Sequence, residues 1–294
     1  MGILLGLATA LCWGSADLFA RFATRKIGTV HTMLYMQLTG FVLLTLAMRA
    51  LGGWGHLTDG SGWRPWAWGI LAGVLNTSAT LALYRSFEIG KMSVVAPVSA
   101  SYPALTMLLA ALTGERLTVP RFAGIALIVV GVILVARGEK IPDNADQLEE
   151  KVHPGKRKLG VGWALFSAVG FGVMFWLLGI RVVPLLGSAP SVWLIRLASV
   201  AMTAAVVLIL RQPFALPETG ANRWILGVGI LDTSAYVLNN YGMKHEQVSV
   251  VSVLASLYGA VTVGLAAMFL GERVSRMQSA GIVSIFVGIF LISR

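Results

Sequence analysis

The chain carries one set of polar landmarks twice, in the same order. Met92-Ser93-Val94-Val95 returns as Val248-Ser249-Val250-Val251, and Tyr102 returns as Tyr258 at the same spacing of 156 residues. Gly114-Glu115-Arg116 matches Gly271-Glu272-Arg273 after a one-residue insertion, Gly124 and Gly131 match Gly281 and Gly288, and Arg137 matches Arg294. Leu75-Asn76-Thr77-Ser78-Ala79 matches Leu231-Asp232-Thr233-Ser234-Ala235. Ordered agreement at so many points marks an internal duplication. Each copy contains five apolar segments of about 20 residues, the length a helix needs to cross the hydrocarbon core of a bilayer. They run 3–22, 31–51, 66–86, 92–112 and 120–137, then 159–180, 190–210, 222–241, 248–270 and 276–293. Five is odd, so the second copy must enter the membrane from the face opposite to the first. The copies are then an inverted repeat about a pseudo-two-fold axis in the membrane plane, an arrangement common in secondary transporters. The expected fold is an all-α membrane protein of ten transmembrane helices: a repeat over 1–137, a charged linker over 138–158 and a second repeat over 159–294.

Composition excludes a soluble basic protein. Hydrophobic residues make up 56% of the chain and charged residues only 12%, against about 25% charged in soluble domains. The net charge of +10 is scattered in ones to threes between apolar runs, so no nucleic-acid partner is expected. Its distribution among the loops places the central linker in the cytoplasm and both termini outside. The first apolar segment lacks the basic start of a cleaved signal and reads as a retained span. Cys12 stands alone, and His31, His56, His153 and His245 are isolated, so no disulfide, metal or cofactor site is expected. No Walker loop, dinucleotide fingerprint or nucleophile elbow appears, which argues against an enzyme.

Ionisable groups inside spans cost about 2.5–3.5 kcal/mol each on insertion scales and are candidates for function. Asp17, far along span one, reads either as a cavity carboxylate for a proton or an ammonium group, or as an interfacial partner of Arg21 one turn on. Asp232 lies midway along span eight opposite its repeat partner Asn76, in a polar run that continues through Thr233, Ser234, Tyr236, Asn239 and Asn240. Arg196 in span seven reads either as a ligand for a substrate carboxylate or as a side chain snorkelling to the interface. Pro97 and Pro103 interrupt span four, with Gly259 in the second proline's place in span nine, so Ser99, Ser101, Tyr102 and Tyr258 border two broken helices. Trp13, Trp163, Trp176 and Trp193 are candidates for an aromatic lining, and the other tryptophans fall at span ends. Gly124/Gly131 and Gly281/Gly288 would let spans five and ten approach closely. Glu115-Arg116 and Glu272-Arg273, at span ends, are placed to hold one gate state by salt bridges.

The paired halves, each with Gly-Glu-Arg closing its fourth helix, resemble the ten-span EamA-type exporters of the drug/metabolite transporter superfamily. Trp13-Gly14 with Phe171-Gly172, and Arg196 early in its span, fit the same pattern; Gln37 near the matching place of the first half departs from it. Within the superfamily the chain looks most like the YddG-type aromatic amino-acid exporters. The resemblance implies a multi-pass protein of the bacterial inner membrane that exports small amphipathic metabolites, aromatic or neutral amino acids first, by alternating access around a midplane cavity. Asp17, Asn76, Ser99, Tyr102, Trp163, Arg196, Asp232, Tyr236, Asn239 and Tyr258 are the expected substrate-binding residues. Protons are a candidate coupling ion through Asp17 or Asp232, and a monomer is expected to suffice. A broad exporter of drugs or organic cations is the alternative; a passive channel and a lipid-modifying membrane enzyme are the rivals from other classes.

Overall fold

The computed structural model describes residues 1–51, 53, 54, 57, 59, 60, 62–113, 118–137, 156–213, 220–245, 251, 254–272 and 274–292. Gly114-Glu115-Arg116, Val248-Ser249-Val250, Arg273, Arg294 and linker residues 138–155 lie outside them. The described residues form helices and contain no strand. The first half holds α1 (Gly2–Ile27), α2 (Thr29–Leu51), α3 (Arg64–Ile89), α4 (Met92–Ser99), α5 (Pro103–Leu112) and α6 (Val119–Arg137). The second holds α7 (Lys156–Leu177), α8 (Val183–Leu186), α9 (Ser188–Ile209), α10 (Asn222–His245), α11 (Tyr258–Leu270) and α12 (Arg276–Ile292). Among the described residues, six segments are long and apolar enough to span a bilayer: Gly2–Ile27, Thr29–Arg49, Arg64–Ile89, Met92–Leu112, Leu159–Leu186 and Ser188–Ile209. Val119–Val135, Leu254–Leu270 and Arg276–Leu291 are shorter apolar helices.

Two spans depart from the sequence expectation. Span six does not stop at residue 180. A π-helical turn over Leu178–Val182 carries it into α8, because Pro184 has no N–H to continue the regular ladder. Span eight is a helix of 24 residues but is absent from the strongly apolar set. Its polar run is tolerated because Thr233, Asn239 and Asn240 are buried against protein.

The halves interlock. α1 packs on α10 and α11, and α7 packs on α3, α4 and α5, which are the same contacts with the repeats exchanged. α2 pairs with α9, and α6 with α12, across the same axis. Glycine permits these close approaches. A Cβ at Gly14 would stand 2.5 Å from Val261 of α11, and one at Gly172 2.9 Å from Leu105 of α5, the repeat-related contact. Between α6 and α12 the backbones themselves touch: a Cβ at Gly131 would lie 2.6 Å from the Gly281 carbonyl oxygen, and one at Gly288 2.6 Å from that of Gly124. Gly131→Leu is therefore expected to destabilise the protein by about 3 kcal/mol, since backbone cannot move aside as a side chain can. Gly264→Leu, where a Cβ meets nothing within 4 Å, is the control. Thermal denaturation in detergent compares the two; equal midpoints would refute the close-packed interface.

Candidate functional site

A partly open cavity, about 460 Å³ with the space at its mouth included, lies where the two halves meet. Its walls come from α1, α3, the α4–α5 break, α7, α10 and the start of α11, the helices of spans one, three, four, six, eight and nine. Four pairs of lining residues are related by the duplication: Trp13 with Phe171, Asp17 with Phe175, Thr80 with Tyr236, and Tyr102 with Tyr258. The cavity therefore sits on the pseudo-two-fold axis. Ala16, Leu83, Tyr84 and Asp232 complete the lining.

The two breaks that open the axis have the same form. α4 ends at Ser99 and α5 begins at Pro103, which cannot donate to the carbonyl a turn back. Residues 100–102 cross the gap in tight turns, with Ser101 and Tyr102 N–H bonded to Val98 and Ser99 carbonyls at 3.3 and 3.4 Å. In span nine the chain turns at Leu257, immediately before Tyr258, without a proline. A Cβ at Gly259 would stand 2.8 Å from the Ala100 side chain, so the two breaks meet on the axis.

Aromatic side chains dominate the walls. The Trp13 ring meets Tyr236, Tyr258 and Phe175 edge to face, at 5.2, 6.0 and 6.1 Å between centroids. Phe175 stacks on Tyr102 at 4.8 Å and on Tyr236 at 6.4 Å. Tyr236 is fixed by its hydroxyl, which donates to Asn76 Oδ1 at 2.6 Å. Asn76 is thus a support behind the wall, held in turn by Ser199 at 3.5 Å.

The charges are distributed unequally between the repeats. Asp17, buried at 6% exposure, accepts a hydrogen bond from Thr262 Oγ1 at 2.9 Å, and no described residue forms an ion pair with it. Its repeat partner is Phe175. On the other side of the axis, Asp232 is bound by the Arg196 guanidinium at 2.5 Å. The same guanidinium donates to Gln37 Oε1 at 2.5 Å and lies 5.2 Å from the centroid of the Tyr236 ring. Arg196 is 1% exposed, so it does not snorkel: a carboxylate within the protein holds it inside. Gln37, which stands near the place of Arg196 in the first half, is the partner that completes this cluster. Arg21 reaches Glu272 and the Gly90 carbonyl.

Of the sequence-derived candidates, Asp17, Tyr102, Asp232, Tyr236 and Tyr258 line the cavity, while Asn76 and Arg196 stand directly behind it. Ser99 is buried against Ser167 at 3.1 Å, and Asn239 against Asn240 at 3.5 Å. Trp163 is not brought to the cavity. It lies on the outer face of α7 at 37% exposure, edge-on to Phe166 at 6.3 Å. Trp193 packs with Phe41, Trp54 and Trp66 and donates to Thr45 Oγ1 at 2.8 Å, and Trp176 donates to Thr113 at 3.3 Å. Tyr84, Thr80 and Phe175 were not among the candidates. Projecting Asp17 and Tyr236 through the duplication points to Phe175 and Thr80, and Tyr84 lies one turn beyond Thr80.

A model of the EamA-like transporter family matches residues 1–137 and again 158–294. The chain belongs to the EamA-like transporter family. It is accordingly a multi-pass membrane transporter with a small-molecule substrate, built from two EamA repeats. An uncharacterized protein of Methanocaldococcus jannaschii is 30% identical over 135 residues, which is 46% of this chain and 95% of that protein. That relative therefore has about the length of one repeat. A crystal structure of a protein 19% identical in sequence superposes with a TM-score of 0.68, covering 99% of this chain and 95% of the other, and shows the same fold.

Proposed function

We propose that the protein is a secondary exporter of small amphipathic amines, the class that contains aromatic and neutral amino acids as well as organic cations. One observation carries this reading: a buried carboxylate without an ion-pair partner among the described residues, Asp17, faces an aromatic-lined cavity on the axis that relates the repeats. Such a cavity holds a ring by stacking and an amine by charge-assisted hydrogen bonding and cation–π contact. Rocking of one repeat against the other about the axis would expose it to each face in turn. The bacterial inner membrane, a cytoplasmic linker with both termini outside, and a monomeric working unit belong to this proposal. So does proton exchange, in which Asp17 or Asp232 takes up a proton when the amine leaves.

Counterflow of labelled substrate in proteoliposomes tests it. Asp17→Asn is expected to reduce counterflow by about 10- to 100-fold, the value of a hydrogen bond to a charged group. Trp163→Ala, outside the cavity, is expected to leave it unchanged. Undiminished counterflow in Asp17→Asn would exclude Asp17 as the amine site, and unsaturable flux would indicate a channel.

A further inference from the structure

We infer that the cavity selects a substrate of net charge +1: a ring-bearing or compact apolar amine without a carboxylate, in preference to a zwitterionic amino acid. The inference rests on the proposal that the cavity is the substrate site. Asp232 and Arg196 neutralise each other. Asp17 contributes a further carboxylate, with a neutral hydroxyl as its hydrogen-bond donor. When Asp17 is ionised, the lining carries one unbalanced negative charge, and a single ammonium group balances it.

Among the described residues, a substrate carboxylate finds no matching cation. Arg196 is the basic group next to the cavity, and each of its terminal nitrogens is already engaged, one by Gln37 and one by Asp232. Its remaining nitrogen, Nε, is buried without a hydrogen-bond partner among the described residues and packs beside Gly40, where an added Cβ would stand 3.2 Å from it. The Tyr236 ring lies against the guanidinium. Freeing Arg196 for a substrate would strand Asp232 as a buried charge without a partner. The Tyr236 hydroxyl is also committed, to Asn76. A carboxylate in the cavity would therefore be desolvated, lack a cation and share the space with Asp17.

The rings favour the same charge. Aromatic faces attract cations through their quadrupole, and the effect grows when the cation is desolvated. The tryptophan, tyrosine and phenylalanine side chains that line the cavity supply such faces on several sides.

Probes that share a body and differ in charge decide the matter. Purified protein is titrated with phenethylamine, phenylalanine and 3-phenylpropionate, and with tryptamine beside tryptophan and tyramine beside tyrosine, by thermal shift and by competition in counterflow. Each amine is expected to bind about 10- to 100-fold more tightly than its amino acid. The carboxylate-only probe is expected not to bind. Asp17→Asn should abolish the preference without altering unfolding of the unliganded protein. Amino acids binding as tightly as their amines would overturn this inference while leaving the cavity as the site. If no probe of either kind binds, the cavity reading and the inference fail together.

Discussion

Asp232→Ala is expected to lower the stability of the detergent-solubilised protein by about 3–5 kcal/mol. The substitution removes the carboxylate that holds Arg196 and leaves a guanidinium at 1% exposure among apolar and aromatic side chains. Gln37 remains as an acceptor for one terminal nitrogen, but an amide oxygen carries no compensating charge. Removing both members should cost much less, because a buried ion pair is often no more stable than well-packed apolar residues of similar volume. Arg196→Met with Asp232→Leu is accordingly expected to regain most of the loss. Denaturant titration of the wild type, both single variants and the double variant measures the coupling. A single variant that loses less than about 1 kcal/mol, or a double variant no more stable than the singles, would refute the pair as a structural element. The folded double variant would also separate stability from transport, since Asp232 faces the cavity and Arg196 does not.

The duplication made the architecture legible from the sequence. Five spans per copy forced an inverted repeat, and polar residues recurring at matching places pointed to the axis. Asp17, Tyr102, Asp232, Tyr236 and Tyr258 were identifiable because polar groups in apolar spans need a partner or a cavity. What the sequence could not supply was direction around each helix. Trp163 and Trp13 are both tryptophans near the start of a half, yet α7 turns one toward the outer surface and α1 turns the other toward the axis. Arg196 was ambiguous for a related reason. Position along a span gives depth, but only packing against α10 shows that Asp232 can reach it. The alternative pairing of Asp17 with Arg21 had the right spacing, whereas tertiary structure presents Glu272 and the Gly90 carbonyl to that arginine. Phe175 and Tyr84 escaped notice because apolar and aromatic residues are unremarkable in a membrane span until a cavity shows them side by side.

Glu272→Gln is expected to loosen the end of the molecule at which α7 begins. Gly271 ends α11 in the left-handed conformation, at φ 63°, and turns the next residue toward α4. The Glu272 carboxylate there accepts from the Met92 and Ser93 backbone N–H groups at 3.2 and 2.7 Å, capping the first turn of α4 from the other repeat. Arg21 stands 3.8 Å from the same carboxylate and donates to the Gly90 carbonyl at 3.0 Å, with the two charged side chains 7% and 8% exposed. Gly90 also meets Gly160 of α7, so α1, α3, α4, α7 and α11 converge at this end. The duplication puts Gly179 where Arg21 stands in the first half, so an equivalent closure at the opposite end would lack its arginine. Neutralising Glu272 keeps an acceptor for the cap but removes the charge that strengthens it and the attraction of Arg21. Charge-assisted hydrogen bonds contribute about 1.5–3 kcal/mol, enough to shift a two-state equilibrium at least about tenfold. A cysteine at position 93, in a Cys12→Ala background, reports the change through its rate of labelling by a membrane-impermeant maleimide. Ser93 is 1% exposed, so labelling requires opening. At least about tenfold faster labelling in Glu272→Gln is expected, and an unchanged rate would show that this contact does not hold the end closed.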